Sequence, residues 1–450
     1  MLEPQQNRQT TEHGLSGESV VCFAGEDWWY HHPHSKNHIL KRFAKQNRVL
    51  FVNSITMGLP SLSNPDLVLK ICRKLKSYTR WLHRVPEGLW VLTPINVPVY
   101  SFRLLRSLNR VLLVLQVRLA MRLCRIKHPI LWVAIPTAAD IVDDLGAKLV
   151  LYQVSDKYEA NEDSALSAEI IREMDRRLKG RAAVVMYSGR KLFEEAEVPH
   201  RYYLEQAVDF DHFANPSAGI ARDMACIPRP VLGYFGYMDY VMDTALVEEV
   251  ARLRPDWHWV FIGRKSNLVH ISAPNVHFLG PKQYADLPKY VGHIDVFVLP
   301  WRQDNVFTSY GSAIKVREYL ATGKPVVISP LHEYLNTPGV RIYRTKQEFL
   351  SAVEDALQHD SASDFQLRQS VVRNSTWDAR ALDLGRLITK LLCGSSGQQL
   401  ADENMYEAAT PALRENSRRA FAAVGAHVET DRTMDNGHKA RPATPKRLTE

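Results

Sequence analysis

The feature that most constrains the fold is an alternation of short apolar runs with helical patterns, which occurs twice along the chain. In the first half the apolar runs are predicted strands at 20–24, 48–52, 89–92, 130–134, 149–153, 183–187 and 202–204. Helical patterns lie between several of them, at 36–46, 101–126, 137–145 and 162–179. Strands that alternate with helices form βαβ units and parallel sheets.

The same alternation restarts after a segment rich in proline and small residues. Strands are predicted at 231–235, 257–262, 276–278, 295–299 and 326–329, with helices at 243–253, 284–292 and 313–322. The pattern predicts an α/β fold of two doubly wound, Rossmann-like domains that face each other across a cleft. The carboxyl ends of the strands are where such domains bind ligands.

The predicted domains follow from these patterns. A disordered lead-in covers 1–18, an N-terminal domain 19–212, a linker 213–230 and a second domain 231–375. A returning helix at 376–393 could join the first domain, and a polar, disordered tail covers 394–450.

The cysteines, the amino-terminal segment and the net charge indicate the cellular compartment and the kind of partner. The five cysteines lack metal or redox spacing, and the amino terminus has no apolar core typical of a signal peptide. A cytoplasmic protein is therefore expected. The net charge of +8 indicates an acidic partner, which could be phosphate, nucleic acid or anionic lipid.

The junction at 313–329 is the strongest candidate for a nucleotide site. Lys315 and Glu318 share one helical face, Gly323 suits the end of the helix, and Pro325 precedes a buried strand. On local pattern alone, Lys315 and Glu318 could equally be a surface ion pair. Their place late in a β/α series favours a nucleotide.

Two glycine turns in the second half could approach a phosphate. Gly236 follows the first strand, and Gly263-Arg264-Lys265 follows the second, so Arg264 and Lys265 could neutralise a diphosphate. Ordinary turns and solvated charges are the alternatives.

A loop after the first strand supplies candidates for acceptor binding and catalysis. Trp28, Trp29 and His34 could contact a sugar. The carboxylates Glu26 and Asp27 could bind hydroxyls or act as a base, and Asp27 is the candidate chosen. Asp156, after another strand, is a second candidate base; capping its own loop or pairing with a neighbour is the alternative. The histidine spacing does not suit a metal, and none is expected.

The helix at 101–126 carries an arginine stripe. The candidate membrane-contacting arginines are Arg103, Arg106, Arg110, Arg118 and Arg122. Glu87 is the only acidic residue between Leu67 and His128, which favours an anionic lipid surface. The alternative is a core helix with a snorkelling polar side.

Two motifs in the second half resemble a known family. Asp295-Val-Phe-Val-Leu-Pro300, followed by Lys315-x-x-Glu318-Tyr-Leu-Ala-x-Gly-Lys-Pro, resembles the donor-binding half of GT-B glycosyltransferases. The resemblance is to family 4-like enzymes of the bacterial exopolysaccharide type, which includes xanthan glucuronosyltransferase.

The resemblance implies a metal-independent, hexosyltransferase-like enzyme without a cofactor. It would move a sugar from a nucleoside diphosphate sugar to a lipid-linked or saccharide acceptor in envelope or exopolysaccharide synthesis, on the inner face of the cell membrane. Glu318 would accept hydrogen bonds from the ribose and Lys315 would face the diphosphate. Tyr310 stands where the family has the first acid of a Glu-x7-Glu pair. The sugar, the nucleotide base and the stereochemistry stay open.

Two other functions remain open. A nucleotide-sugar 2-epimerase could use the same fold without an acceptor. A non-enzymatic basic protein could bind membrane or nucleic acid, although the chain shows no nucleic-acid-binding module, and no nucleic acid partner is expected.

Overall fold

The computed structural model describes residues 14–55, 72, 75–97, 103–160, 166–215, 219 and 221–394. Of the segments predicted to be disordered, 1–18 and 394–450, residues 1–13 and 395–450 lie outside the described residues, and so does the side chain of Arg103. Residues 14–18 are ordered instead, because Leu15 is buried in the core of the first half.

The first half forms an eight-stranded sheet within the described residues. Its strands are β1 (Ser19–Phe23), β2 (Arg48–Val52), β3 (Leu82–Arg84), β4 (Trp90–Leu92), β5 (Ile130–Val133), β6 (Leu149–Val154), β7 (Val184–Tyr187) and β8 (Arg201–Tyr203). Their order is β3-β4-β2-β1-β5-β6-β7-β8, and β3 runs antiparallel to β4. The predicted strands are found within a residue of their expected ends. Strand β3 was missed because it is polar and largely exposed.

In this half the α-helices whose bounds are described are α1 (Ser35–Phe43), α2 (Arg103–Leu123), α3 (Ala168–Arg181) and α4 (Arg190–Glu194), and residues 75–78 are also helical. The predicted helix at 137–145 is instead two 3-10 helices, Pro136–Asp140 and Val142–Leu145. Pro136 begins the first, and Gly146, with φ of +60°, ends the second.

The second half forms a six-stranded parallel sheet. Its strands are β9 (Val231–Phe235), β10 (His258–Ile262), β11 (Val276–Gly280), β12 (Val296–Leu299), β13 (Val326–Ile328) and β14 (Val340–Ile342), in the order β11-β10-β9-β12-β13-β14. Strand β14 was not predicted, because three half-buried residues with a central arginine give little apolar signal.

The remaining α-helices of the described chain are α5 (Phe210–Ala214), α6 (Thr244–Leu253), α7 (Pro288–Val291), α8 (Val306–Ser309), α9 (Ile314–Ala321), α10 (Lys346–His359), α11 (Ala362–Val372) and α12 (Trp377–Leu392). The predicted helix at 284–292 is a 3-10 turn, Tyr284–Asp286, followed by α7. The α9–β13 junction is the motif on which the nucleotide prediction rests.

Each sheet has a switch point, where successive connections leave to opposite sides. In the first sheet β1 lies between β2 and β5, and in the second β9 lies between β10 and β12. Ligands of doubly wound sheets bind at the carboxyl ends of strands at such points. The loops after β1 and β9 are therefore expected to carry the ligand-binding and catalytic residues.

Helix α12 packs on the first sheet, not on the second. Trp377, Leu384 and Ile388 are buried in the same core as Ile39 and Leu40 of α1. The chain thus returns to its first half after completing the second.

Candidate functional site

Two glycine turns meet at the carboxyl edge of the second sheet. Gly236 follows β9 with φ of +134°, and Gly263 follows β10 with φ of +146°. A Cβ at Gly263 would overlap the carbonyl oxygen of Gly236, so the two backbones touch directly. Both conformations favour glycine, which leaves this edge without side chains that would keep a ligand away.

Lys315 lies against this bare backbone. Its Nζ donates a hydrogen bond of 2.8 Å to the hydroxyl of Tyr234 and lies 5.1 Å from the centre of the Trp301 ring. Helix α9 is anchored there because the hydroxyl of Tyr319 accepts a hydrogen bond of 2.9 Å from the N–H of Phe235. The sequence motif therefore holds an ammonium group at the end of β9.

Glu318 lies one turn further along α9 and is half-buried. Burial raises the pKa of its carboxyl to about 7, even though Lys315 acts to lower it, and the charge of Asp209 adds to the rise. Tyr284 is the neighbouring aromatic residue; its hydroxyl donates to Asp209, and its ring stacks 4.7 Å from that of His212. The carboxyl of Glu318 and the ring of Tyr284 thus lie close to the ammonium group of Lys315.

The two basic residues after Gly263 point in different directions. Arg264 lies 5.9 Å from the Tyr237 ring and interacts electrostatically with His31 and His32 of the first half, so it faces the cleft. Lys265 is exposed, and its Nζ donates to the carbonyl of Val269. The structure brings Arg264 to the site but not Lys265.

Asp27 has a structural role. Its Oδ1 accepts from the N–H of Trp29 at 2.9 Å, its Oδ2 accepts from the Ser77 hydroxyl at 2.8 Å, and it is buried. Both oxygens are engaged in holding the loop after β1. This geometry argues against the prediction that Asp27 is a base.

The predicted sugar-stacking residues also pack inward. Trp28 contacts Phe51 edge-on at 5.0 Å between ring centres, and Trp29 contacts His83 at 5.5 Å. Both pack against the core of the first half. His34 is different: its side chain is 48% exposed and lies 3.9 Å from Glu26.

Asp156 is the better-placed candidate base. It follows β6, and burial raises the pKa of its carboxyl to about 6. The charge of Lys36 acts to lower that pKa and the charge of Glu26 to raise it. A carboxyl with a pKa close to neutrality suits general base catalysis.

Sequence reasoning named Glu26 among the carboxylates of this loop but selected Asp27 over it, and it missed Lys36. The two side chains form an ion pair of 2.7 Å, in which Lys36 is 4% exposed and Glu26 16% exposed. Glu26 directly precedes Asp27, and Lys36 is the second residue of α1, so both flank the switch point of the first sheet. That position was the available signal, since ligands bind there in this class of fold.

The two halves contact each other at Tyr310. Its hydroxyl accepts a hydrogen bond of 3.0 Å from Lys157 and donates one of 2.6 Å to Glu195, both in the first half. A Cβ at Gly189 would lie 2.9 Å from the carbonyl oxygen of Tyr310. The residue that replaces the family acid thus joins the two halves beside the loop of Asp156.

The outer face of α2 differs from the prediction. Arg106 forms a bidentate ion pair with Asp140, and Arg110 forms one with Asp144, whose carbonyl oxygen also accepts from Arg118. These three arginines therefore bind neighbouring parts of the protein, although Arg110 and Arg118 are exposed, as Arg122 is.

Aliphatic side chains form the outward face of α2 instead. They are Leu104, Leu108, Val111, Leu115 and Leu119, which are 82%, 46%, 55%, 61% and 49% exposed. Their spacing of three and four residues puts them on one face of the helix. Within the described residues, no helix is long and apolar enough to cross a membrane, and no cluster of three or more ligating side chains could hold a metal ion.

The second half of the chain is similar to a known family. Residues 229–359 match the family model described as glycosyl transferases group 1. TuaH of Bacillus subtilis strain 168, a protein provisionally named a teichuronic acid biosynthesis glycosyltransferase, is 24% identical over 257 residues. The match covers 51% of this chain and 64% of TuaH, so this chain spans less than two thirds of that relative.

Solved structures agree on the fold. Sucrose-phosphate synthase from Thermosynechococcus elongatus superposes with a TM-score of 0.62 at 13% identity, over 84% of this chain and all of that one. HepE from Anabaena, solved with UDP and glucose, gives a TM-score of 0.58 at 12% identity over the same 84% of this chain and 100% of its own. The chain therefore has a GT-B fold, which confirms the predicted fold of two Rossmann-like domains, and its residues 229–359 are similar to the glycosyl transferases group 1 family.

Proposed function

We propose that the protein transfers a glycosyl group from a nucleoside diphosphate sugar to an acceptor hydroxyl. The observation that supports this most strongly is the arrangement of Gly236, Lys315 and Glu318 at the carboxyl edge of the second sheet, inside the segment that matches the family model. HepE, of the same fold, was solved with UDP and glucose, which makes UDP the first nucleotide to test.

The donor diphosphate lies on the bare backbone of Gly236, next to the ammonium group of Lys315 and the guanidinium group of Arg264. Positive charge at this place stabilises the diphosphate as it leaves. Glu318 accepts hydrogen bonds from the ribose hydroxyls. A carboxylate that accepts from two hydroxyls forms charge-assisted bonds, which are stronger than neutral ones.

Asp156 removes the proton from the acceptor hydroxyl. The hydroxyl oxygen forms a bond to the anomeric carbon while the bond from that carbon to the diphosphate oxygen breaks. The electron pair leaves with the diphosphate, and the proton stays on Asp156 until solvent takes it. One displacement of this kind inverts the anomeric configuration.

The acceptor belongs to bacterial envelope or exopolysaccharide synthesis, and the enzyme works at an anionic membrane surface. The name of TuaH supports the first part, and the outward face of α2 supports the second. An amphipathic helix with exposed leucines inserts its apolar face among lipid headgroups, and an exposed arginine such as Arg122 adds attraction to anionic lipids.

Calorimetry with UDP, GDP and ADP tests the donor site. Glu318→Ala should weaken binding of the preferred nucleotide by about 10- to 100-fold, because it removes charged hydrogen bonds. Glu249→Ala, an exposed glutamate on α6, is the matched control and should bind normally. Equal affinity of wild type and Glu318→Ala for every nucleotide would refute the donor assignment. A sugar product formed without any acceptor would favour the epimerase.

Sedimentation with lipid vesicles tests the membrane surface. The wild type should bind vesicles that contain phosphatidylglycerol, and Leu108→Ser/Leu115→Ser should lose that binding. Leu253→Ser changes a leucine that is 56% exposed in the second half and serves as the control. Unchanged binding by the double variant would exclude α2 as the contact.

A further inference from the structure

The ion pair between Glu26 and Lys36 is unusual because both charges lie inside the protein. The Lys36 side chain is 4% exposed and lies 2.7 Å from Oε1 of Glu26. Lysine and glutamate are rarely buried unless they are paired, and a buried pair often contributes little net stability. Because the Glu26–Lys36 pair lies close to the switch point of the first sheet, we expect it to have a role in ligand binding or catalysis.

The second carboxylate oxygen of Glu26, Oε2, is available to bind a ligand. Oε2 is buried and has no hydrogen-bond partner among the described residues. A buried carboxylate oxygen without a donor costs free energy, and native proteins satisfy nearly all such atoms. A ligand hydroxyl would provide the missing donor.

The surroundings of Glu26 and Asp156 shift the pKa values of these two interacting carboxyls in opposite directions. Burial acts to raise the pKa of the Glu26 carboxyl, but His34 and Lys36 outweigh it and lower that pKa. Burial raises the pKa of Asp156 to about 6. The interaction with His31 also acts to lower the pKa of Glu26. Two carboxyls whose pKa values are separated by their surroundings are typical of paired catalytic roles.

We propose that Glu26 is a further acceptor-binding residue and that Lys36 is the positioning residue that keeps it ionised. The free oxygen of Glu26 accepts a hydrogen bond from one hydroxyl of the acceptor, while a neighbouring hydroxyl gives its proton to Asp156. The acceptor is therefore a saccharide with adjacent hydroxyls. A lipid phosphate suits this site less well, because it is mostly deprotonated at neutral pH and is repelled by two carboxylates.

This inference rests on the proposed glycosyltransferase function and predicts opposite changes for the two residues. Glu26→Gln removes a negative charge near Asp156, which lowers the pKa of Asp156. Lys36→Met removes a positive charge, which raises it. Because Asp156 must be ionised to act as the base, the acid limb of the rate profile moves to lower pH in Glu26→Gln and to higher pH in Lys36→Met, each by about one pH unit.

The experiment measures nucleoside diphosphate release from the nucleotide sugar that the wild type hydrolyses, between pH 5 and 9, with water as the acceptor. The double variant Glu26→Gln/Lys36→Met replaces both charges with neutral groups of similar size, so it keeps the fold and should give an acid limb between those of the single variants. Lys41→Met is the matched control. Lys41 lies on the same helix and pairs with Glu87 at 2.9 Å, away from Asp156, so its limb should not move.

The pKa of Asp156 is also measured without substrate, from the pH dependence of the stability difference that Asp156→Asn makes in each background. Opposite shifts in both measurements support the action of Glu26 and Lys36 on Asp156, and unmoved limbs or shifts in the same direction overturn it. The acceptor contact is tested by adding a saccharide with adjacent hydroxyls: Glu26→Gln should lower transfer to it more than it lowers hydrolysis, and an unchanged ratio of transfer to hydrolysis overturns that contact. If no nucleotide sugar is turned over, the proposed function fails, and the substrate-free measurement still decides whether Glu26 and Lys36 act on Asp156.

Discussion

Asp156→Asn should make the protein more stable at neutral pH, and the size of the gain follows from the position of Asp156. Burial raises the pKa of its carboxyl from 3.8 to about 6. A difference of about two units between the folded and unfolded chain corresponds to about 3 kcal/mol. The ionised carboxylate therefore destabilises the wild type by that amount at pH 8, and asparagine does not.

The sign of the pH dependence is fixed by the direction of the shift. A group whose folded pKa is raised binds its proton more tightly in the folded chain. Its stabilising contribution is complete below about pH 4 and is lost as the pH rises through about 6. The difference in unfolding free energy between Asp156→Asn and wild type should therefore be small at pH 4, grow between pH 4 and 6, and stay constant above.

Urea unfolding followed by circular dichroism at intervals from pH 4 to 8 measures this difference. Asp140→Asn is a control of opposite sign, because hydrogen bonds from Arg106 and Arg177 outweigh burial and lower the pKa of Asp140. That variant should be less stable than wild type at pH 7. A pH-independent difference for Asp156→Asn, or a wild type that is the more stable at pH 8, would refute the assignment of Asp156 as a poised base.

Three further results are expected. UDP affinity should fall as the pH drops below about 7, because burial raises the pKa of Glu318 and only its ionised form accepts ribose hydrogen bonds; calorimetry across pH should show a flat profile for Glu318→Gln. Gly236→Ala places a Cβ 2.5 Å from Nζ of Lys315 at a φ of +134°, so its UDP affinity should fall by about tenfold or more; unchanged affinity would move the diphosphate elsewhere. Gly189→Ala places a Cβ 2.9 Å from the Tyr310 carbonyl oxygen and should loosen the contact between the halves. Solution scattering should then give a larger radius of gyration. An unchanged radius of gyration would show that this contact is not needed for closure.

The fold could be predicted because its strands are buried on both faces. Runs such as Val231–Phe235 and Arg48–Val52 carry enough apolar residues to be recognised without their partners. Strands Leu82–Arg84 and Val340–Ile342 are short, lie at sheet edges and are less buried, so their identity depends on neighbours that are distant in sequence.

The site was predictable only where local sequence fixes geometry. Gly236 and Lys315 belong to turns and helix faces that the sequence defines, and both lie where expected. The arginines of α2 show the limit. Helical periodicity groups Arg106 and Arg110 on one side, but it does not say that Asp140 and Asp144 face them. Asp27 was chosen over Glu26 for the same reason, because the pairing of Glu26 with Lys36 is identified only by tertiary contact.

The return of α12 to the first half has a mechanical consequence. The chain crosses between the halves near residue 208 and again near residue 376, and these two crossings are joined by a hydrogen bond of 2.9 Å from the N–H of Val208 to the carbonyl of Ser375. A single connection would let the two halves rotate about several axes. Two adjoining connections restrict their relative motion to a hinge bend about one axis. Opening and closing of the cleft should therefore be a bend about the line through Val208 and Thr376, which keeps Glu26, Asp156 and Lys315 in register each time the cleft closes.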